Sequence, residues 1–264
     1  MTTFLVLNFT GFLGVALCMT LIWLLGLRIR NAGVVDIFWS LLVAGLGLYF
    51  VVFLQAYSLK TWVMIAMTCV WAVRLAGHIF LRNLKESAED ARYSGLKEKW
   101  GDRARINMLI FYWQQGAGVL IFALPIFFVA RRPEGVLHIA EMLGVILFGA
   151  AVLGEAIADW QLQAFKKDPS NHGKVCRRGL WNYSRHPNYF FEWLVWVSFF
   201  VYASGTSWGW LSVICPISMY YFLNYKTGIP LAEKRGLASR GASYAAYQKE
   251  VSPFFPWPIK KGAS

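Results

Sequence analysis

The sequence predicts an all-α, polytopic membrane protein with about seven transmembrane helices, its N-terminus outside the membrane and its C-terminus in the cytoplasm. Hydrophobic residues make up 57% of the chain and charged residues only 15%, whereas a soluble domain carries about 25% charged residues. A hydrocarbon core about 30 Å thick is crossed by roughly 20 apolar residues. Segments of this kind lie at 4–27, 34–54, 60–81, 106–130, 136–163, 188–206 and 208–229.

The distribution of basic residues predicts the orientation, because short loops rich in Lys and Arg stay in the cytoplasm. With seven spans, 23 of the 26 Lys and Arg residues lie on or near one side, and only Lys60, Arg131 and Arg132 lie on the other. The net charge of +12 is therefore mostly a topology signal, although a cationic face also attracts anionic membrane lipid or an anionic cofactor. The first apolar stretch lacks a preceding basic segment and a small-residue cleavage site, so we expect a retained helix.

Several motifs of soluble enzymes are absent or misplaced. GTSWG at 205–209 matches the G-x-S-x-G pattern of hydrolases, but it lies in a short turn between two predicted spans and not at a strand-to-helix elbow. No G-x-G-x-x-G follows a strand, and the four histidines lack zinc-binding spacing, so we expect neither a Rossmann site nor a metal. The four cysteines form no CxxC pair and are interpreted as structural thiols. Nucleic-acid binding is not expected, because the chain has little soluble basic surface.

Polar residues within the apolar spans indicate a cavity at the cytoplasmic level. An ionisable side chain there costs roughly 2.5–3.5 kcal/mol on insertion scales, so it requires a partner or a function. Most of these residues form i, i+4 pairs, which share a helix face. They are Asp36 in span 2, Arg74 and His78 in span 3, Glu155 and Asp159 in span 5, and Asn188 and Glu192 in span 6. In the alternative interpretation, Arg74 pairs with Asp159 or Glu155 to stabilise the bundle, while Asp36 and Asn188 cap helices.

Two polar segments beside these spans suit a ligand that carries phosphate. Segments 86–103 and 166–189 are rich in Arg, Lys, Asn and Tyr, and guanidinium groups bind phosphate through paired hydrogen bonds. Ordinary positive-inside charge is the other explanation for the same residues.

Residues 184–196, SRHPNYFFEWLVW, resemble the C-terminal region of the steroid 5-alpha-reductases and of an uncharacterised bacterial membrane family allied to them. The resemblance covers nearly the whole chain. It extends to NAGVVDIFW at 31–39, WAVRLAGHIFLRN at 71–83, EDARY at 89–93, and the pattern of Glu233, Tyr244 and Tyr247 before PFFPWP. The isoprenylcysteine carboxyl methyltransferases carry a stretch similar to RHPNY, but the pair of Asn188 and Glu192 favours the reductases.

The resemblance implies a single membrane domain over 1–264 whose C-terminal half, from about residue 106, binds NADPH in a cavity facing the cytoplasm of a bacterial inner membrane. The implied reaction is reduction of an activated C=C bond in a hydrophobic enone, such as a 3-oxo-Δ4-steroid, that arrives from the lipid. By position, Asn188 and Glu192 contact the nicotinamide half, and Asp159 contacts a ribose or amide group. The phosphates and ribose are assigned to Arg74, Asn83, Arg92, Tyr93, Arg178 and Arg185, with His186 and Lys226 as further candidates.

The implied reaction also requires a proton donor, because hydride addition to an enone builds negative charge on the carbonyl oxygen. In the reductases a Glu and a Tyr from the second and third spans fill this role. Asp36 matches the Glu, whereas Trp71 stands where the Tyr is expected. We expect His78, on the helix face of Arg74, or a loop tyrosine such as Tyr93 to substitute.

Two other functions stay open. An S-adenosylmethionine-dependent methyltransferase of the isoprenylcysteine type would use the RHPNY stretch for a cofactor without phosphates, and would need few basic side chains at the cavity. A non-enzymatic membrane partner protein would leave the set of Asp159 and Glu192 without a ligand.

Overall fold

The computed structural model describes residues 2–85, 89–132 and 135–259, and in these residues the chain is helical, with no β-strand. The all-α prediction is thereby confirmed. Ten α-helices, α1 to α10, occupy the described residues: Thr2–Ile29, Val34–Phe53, Leu59–Lys85, Ala91–Trp100, Ala104–Phe122, Leu124–Arg131, Ile139–Lys167, Pro187–Ser204, Ile214–Tyr221 and Ile229–Glu250.

Several of these helices have the length and composition of membrane spans. Five helical stretches in the described part of the chain are long and apolar enough to cross a membrane: Phe9–Ile29, Val34–Phe53, Leu59–Leu84, Ala91–Arg131 and Ile139–Lys167. Many large apolar side chains on them point outwards, among them Val73 and Ile146, which are 65% and 67% exposed. These helices are compatible with a multi-pass membrane protein.

Neither of the two C-terminal predicted spans is among the five spanning stretches found in the described residues. The helix α8, which has 18 residues, covers 188–204 of the predicted span 188–206. The predicted span 208–229 is not one regular helix, because a 3-10 segment, Gly209–Val213, precedes α9 and a π-helical turn, Phe222–Lys226, follows it. Pro216 has no N–H to donate to a carbonyl of the preceding turn, which disfavours a regular α-helix where the 3-10 segment passes into α9. The count of seven spans and the orientation stay predictions.

The chain divides into two compact units. Unit 1 contains Met1–His138 and Ala203–Leu211, and unit 2 contains Ile139–Tyr202 and Ser212–Ser264. In unit 1, α2 packs against α1, α3, α5 and α6. In unit 2, α10 is interrupted at Gly241, whose φ of +50° is a left-handed value that glycine adopts readily.

Candidate functional site

A cluster of polar side chains in unit 1 is centred on Asp36, in the first turn of α2. Arg92 Nη2 donates to Asp36 Oδ2 over 2.6 Å, and the Tyr93 hydroxyl donates to Asp36 Oδ1 over 2.7 Å. Arg92 Nε also donates to Asp90 Oδ1 over 3.1 Å. We call Asp36, Asp90, Arg92 and Tyr93 the Asp36 cluster. Each carboxylate oxygen of Asp36 therefore accepts a hydrogen bond from α4.

The EDARY motif positions this cluster through the start of α4. Asp90 is the N-cap of the helix, and its carboxylate accepts a hydrogen bond from the backbone N–H of Arg92 over 2.9 Å, as N-cap aspartates do. Glu89 Oε1 accepts hydrogen bonds from the backbone N–H of Ala32 over 2.5 Å and from Lys97 Nζ over 2.7 Å. The hydrogen bond between Ala32 and Glu89 joins residues 57 positions apart in the sequence. It shows that the NAGVVD and EDARY motifs pack directly on each other.

Solvent access differs within the Asp36 cluster. Tyr93 is only 2% exposed, and its ring meets Phe111 edge-on with 6.2 Å between centroids. The side chain of Asp36 is 18% exposed. The packing therefore fixes the phenol, while the carboxylate stays within reach of a ligand. Together the two groups can hold a proton between oxygens 2.7 Å apart.

Trp71, at the position where the resemblance places a tyrosine, belongs to the core of unit 1. It is fully buried and meets Trp39 edge-on at 6.1 Å between ring centroids. Trp39 in turn donates from Nε1 to the carbonyl of Gln115 over 3.1 Å. The phenol that reaches Asp36 therefore comes from α4 and not from α3.

The other candidates of unit 1 lie along α3. Arg74 is half-buried, and its Nε and Nη2 atoms are enclosed by protein. His78, one turn later, is exposed, and Asn83 is half-buried near the end of the helix. None of these three residues forms part of the Asp36 cluster.

In unit 2, α7 and α8 pack closely in antiparallel order. A Cβ atom added to Gly144 would lie 2.7 Å from Tyr202 Cβ, and one added to Gly154 would lie 2.3 Å from the ring of Phe191. As α7 advances from Gly144 to Gly154, the contact therefore moves backwards along α8 from Tyr202 to Phe191. Only glycine permits so close an approach between helices at these two points.

This register brings four predicted polar residues to one level of unit 2: Glu155 and Asp159 on α7, and Asn188 and Glu192 on α8. Glu155 and Glu192 are buried, with 6% and 8% exposure, and Trp196 Nε1 donates to Glu192 Oε1 over 3.2 Å. Asn188 Oδ1 is also buried, and it has no hydrogen-bond partner among the residues that the structure describes. Since buried amide oxygens are usually bonded, this atom suits a ligand that brings an N–H group.

Arg185 and His186, just before α8, both bind Glu233 of α10. Arg185 donates to the two carboxylate oxygens over 2.9 and 3.1 Å, and His186 Nε2 lies 2.8 Å from Glu233 Oε1. The Tyr244 hydroxyl, at 3.2 Å, and the Gln248 amide also donate to Glu233. We call these five residues the Glu233 network. Burial acts to raise the pKa of Glu233, but the hydrogen bonds from His186, Arg185 and Gln248 outweigh it and hold the pKa at about 2.

Backbone carbonyls take up the remaining contacts of Arg185. Its Nη1 donates to the carbonyl oxygens of Gln248 over 2.8 Å and Val251 over 2.6 Å, and its side chain is only 10% exposed. In this structure the guanidinium joins the start of α8 to the C-terminal segment. Binding a cofactor phosphate would require it to break the pair with Glu233. Sequence reasoning missed this role of Glu233, for which the E-x10-Y-x2-Y pattern was the available signal.

Arg178 and Lys226 are the exposed basic candidates of unit 2. The Arg178 guanidinium lies over the ring of Phe165 at 5.6 Å, and Lys226 Nζ lies over the ring of Tyr221 at 5.7 Å. Neither contact neutralises the positive charge, so both remain suited to an anion. Within the described residues, no group of three or more His, Cys, Asp or Glu side chains is arranged to hold a metal ion.

Comparison with known proteins assigns the chain to a family. Residues 22–251 match the profile of a family described as Protein of unknown function (DUF1295). An uncharacterized protein of Schizosaccharomyces pombe is 22% identical over 277 residues, a match that covers 89% of this chain and 75% of the yeast protein. No solved structure gives a significant match. The Asp36 cluster and the Glu233 network both fall within the matched residues, and the chain belongs to the DUF1295 family.

Proposed function

We propose that this protein is an NADPH-dependent reductase, related to the steroid 5-alpha-reductases, that reduces an activated C=C bond in a hydrophobic enone such as a 3-oxo-Δ4-steroid. The proposal includes seven transmembrane helices with the N-terminus outside, the C-terminus in the cytoplasm, and an active site facing the cytoplasm of a bacterial inner membrane. The observation that carries it is the hydrogen bond between Asp36 and Tyr93.

This pair offers the acid that enone reduction needs. Hydride addition to the β-carbon moves negative charge onto the carbonyl oxygen, and a proton donor held there lowers the barrier. The reductases that the chain resembles use one carboxyl and one phenol for this purpose, and Asp36 and Tyr93 are such a pair at 2.7 Å. Arg92, at 2.6 Å from Asp36, orients the carboxylate. After donation, the pair regains a proton from water on the exposed side of Asp36.

Residues of unit 2 fit the proposed cofactor. The buried Asn188 Oδ1, which has no hydrogen-bond partner among the described residues, suits the N–H of a nicotinamide carboxamide. Asp159, at the same level, suits a ribose hydroxyl, and the exposed charges of Arg178 and Lys226 suit phosphates. NADPH, when bound, supplies the hydride. Arg185 stays outside this set as long as it is paired with Glu233.

The first test is cofactor binding by the purified full chain, measured by calorimetry with NADPH and with S-adenosylmethionine. We expect NADPH alone to bind, and added salt to weaken it, because exposed charge pairs are screened over roughly 8–10 Å at physiological ionic strength. Binding of S-adenosylmethionine without a response to NADPH would support the methyltransferase instead.

The second test is single-turnover reduction of a 3-oxo-Δ4-steroid by Asp36→Asn and Tyr93→Phe. Each variant should lose about 10²–10⁴-fold in rate, the usual contribution of a positioned general acid, while its affinity for NADPH stays near that of the wild type. Tyr112→Phe is the matched control, because the Tyr112 hydroxyl donates to the carbonyl of Ala32 over 2.6 Å and not to Asp36. Wild-type rates in both test variants would place the acid elsewhere, and NADPH binding without reduction of any enone would refute the substrate assignment.

A further inference from the structure

Two cavities lie along the seam between α1 and α5 of unit 1. The first, about 190 Å³ in volume, is lined by residues near the basic ends of the two helices, among them Trp23, Leu27, Lys97, Arg105, Met108 and Tyr112. The second, about 280 Å³, is lined mainly by Phe12, Ala16, Trp113, Gly116, Ala117 and Leu120. Since a helix rises 1.5 Å per residue, the seven residues from Ala16 to Trp23 separate the two cavities by about 10 Å.

The first cavity has donors suited to an anion. Trp23 Nε1 is buried and has no hydrogen-bond partner among the residues that the structure describes. Arg105 is exposed, and no carboxylate in the described ranges neutralises it. Lys97, in contrast, is paired with Glu89 at 2.7 Å. Among the residues that line the first cavity, Trp23 therefore offers an indole N–H and Arg105 a guanidinium, neither with a partner in the described ranges.

The second cavity is apolar and opens towards the lipid-facing surface. Ala117 is exposed and Phe12 is 51% exposed. Gly116 keeps the helices close, because a Cβ atom there would lie 3.2 Å from Val15 Cγ1. The single polar contact recorded across this stretch of the seam, within the described residues, is the 3.1 Å hydrogen bond from Trp113 Nε1 to Thr20 Oγ1. A hydrocarbon chain lying here would bury apolar surface on both helices.

We propose that the seam between α1 and α5 binds one anionic phospholipid, with its phosphate at Trp23 Nε1 and Arg105 and an acyl chain in the second cavity. Charge decides the headgroup class: a zwitterionic lipid would bring its own cation next to Arg105, whereas an anionic lipid adds only negative charge. The apolar second cavity favours the phosphate of a lipid over a free phosphate, because only a lipid has an acyl chain that could fill this cavity. The site is distinct from the Asp36 cluster, whose four residues line neither cavity.

Native mass spectrometry of the purified full chain, titrated with phosphatidylglycerol or phosphatidylcholine of identical acyl chains, tests this proposal. We expect one tightly held phosphatidylglycerol per chain and weaker binding of phosphatidylcholine. Arg105→Gln should weaken phosphatidylglycerol binding about fivefold, the usual effect of one basic residue near an anionic surface. Trp23→Phe should weaken it as well, because it removes the N–H and keeps an aromatic ring. Ala117→Phe should weaken both lipids by filling the second cavity.

Matched controls separate this site from general charge and shape effects. Lys99→Gln removes one exposed charge of α4 that lines neither cavity, and Ala66→Phe adds a ring to the exposed surface of α3. Both should bind lipid like the wild type. Equal affinity for the two lipids, or equal losses in Lys99→Gln and Arg105→Gln, would overturn the proposal. Stoichiometric binding of glycerol phosphate with the affinity of the intact lipid would overturn it too, because the acyl chain would then contribute nothing.

Discussion

Replacing Glu233 with Gln should destabilise unit 2 by about 2 kcal/mol. The Glu233 network lowers the pKa of this carboxyl from 4.5 to about 2, and each pKa unit corresponds to about 1.36 kcal/mol. Glutamine resembles the protonated acid in shape, so the shift approximates the loss, which would be about 3 kcal/mol. The side chain of Glu233 is 14% exposed, and solvent screening reduces this value to about 2 kcal/mol.

Thermal unfolding in detergent, followed by tryptophan fluorescence, measures this effect. At roughly 2–4 °C per kcal/mol, the midpoint of Glu233→Gln should fall by about 4–8 °C. Glu250→Gln is the control, because it removes the same charge from an exposed pair, in which Arg177 Nη1 lies 2.5 Å from Glu250 Oε2. The control should change the midpoint little. Equal shifts in the two variants would refute the argument that the Glu233 network stabilises the fold.

The same network predicts the direction of a pH effect. A carboxylate whose pKa is lowered by folding stabilises the protein above its unfolded pKa, and this stability is lost as the pH falls through the folded value. For Glu233 the loss should occur between pH 4.5 and about 2. The unfolding midpoint of the wild type should therefore decrease as the pH is lowered through this window. The midpoint of Glu233→Gln should lack the part of this decrease that comes from Glu233. Identical pH profiles would contradict the assignment.

Three further predictions concern helix packing, cofactor binding and topology. Gly144→Ala should lower the free energy of unfolding by about 1–3 kcal/mol, because the new Cβ atom would lie 2.9 Å from the backbone of Tyr202. Gly149→Ala is the control on the same helix. A Cβ atom there would have no other atom within 4 Å, so this variant should be neutral or slightly stabilising. Glu192→Ala should weaken NADPH binding by about 1–3 kcal/mol in calorimetry, and unchanged affinity would remove this residue from the cofactor site. Tags at the two termini should report opposite sides of the membrane, and a report from one side would exclude seven spans.

Hydropathy predicted the long regular helices well and the irregular ones poorly. The predicted span 34–54 corresponds to Val34–Phe53, and the predicted span 136–163 corresponds to Ile139–Lys167. Both are predominantly apolar, and neither contains a proline. The span 208–229 has the same apolar length, but Pro216 interrupts its backbone hydrogen bonding, and an average over hydropathy is insensitive to a single missing N–H.

The charged residues of the site could be selected from the sequence more easily than the residues that bind them. Asp36 could be selected from sequence, because a carboxyl at the start of an apolar span is costly. Its partner Tyr93 lies 57 positions away on a short polar helix. The sequence of that helix has no apolar periodicity from which its packing against α2 could be predicted. Arg185 shows the converse: its charge suited a phosphate, but Glu233, 48 positions later, already satisfies it. A basic residue is therefore free to bind a ligand only when no carboxylate of the fold reaches it, and that depends on contacts between distant segments.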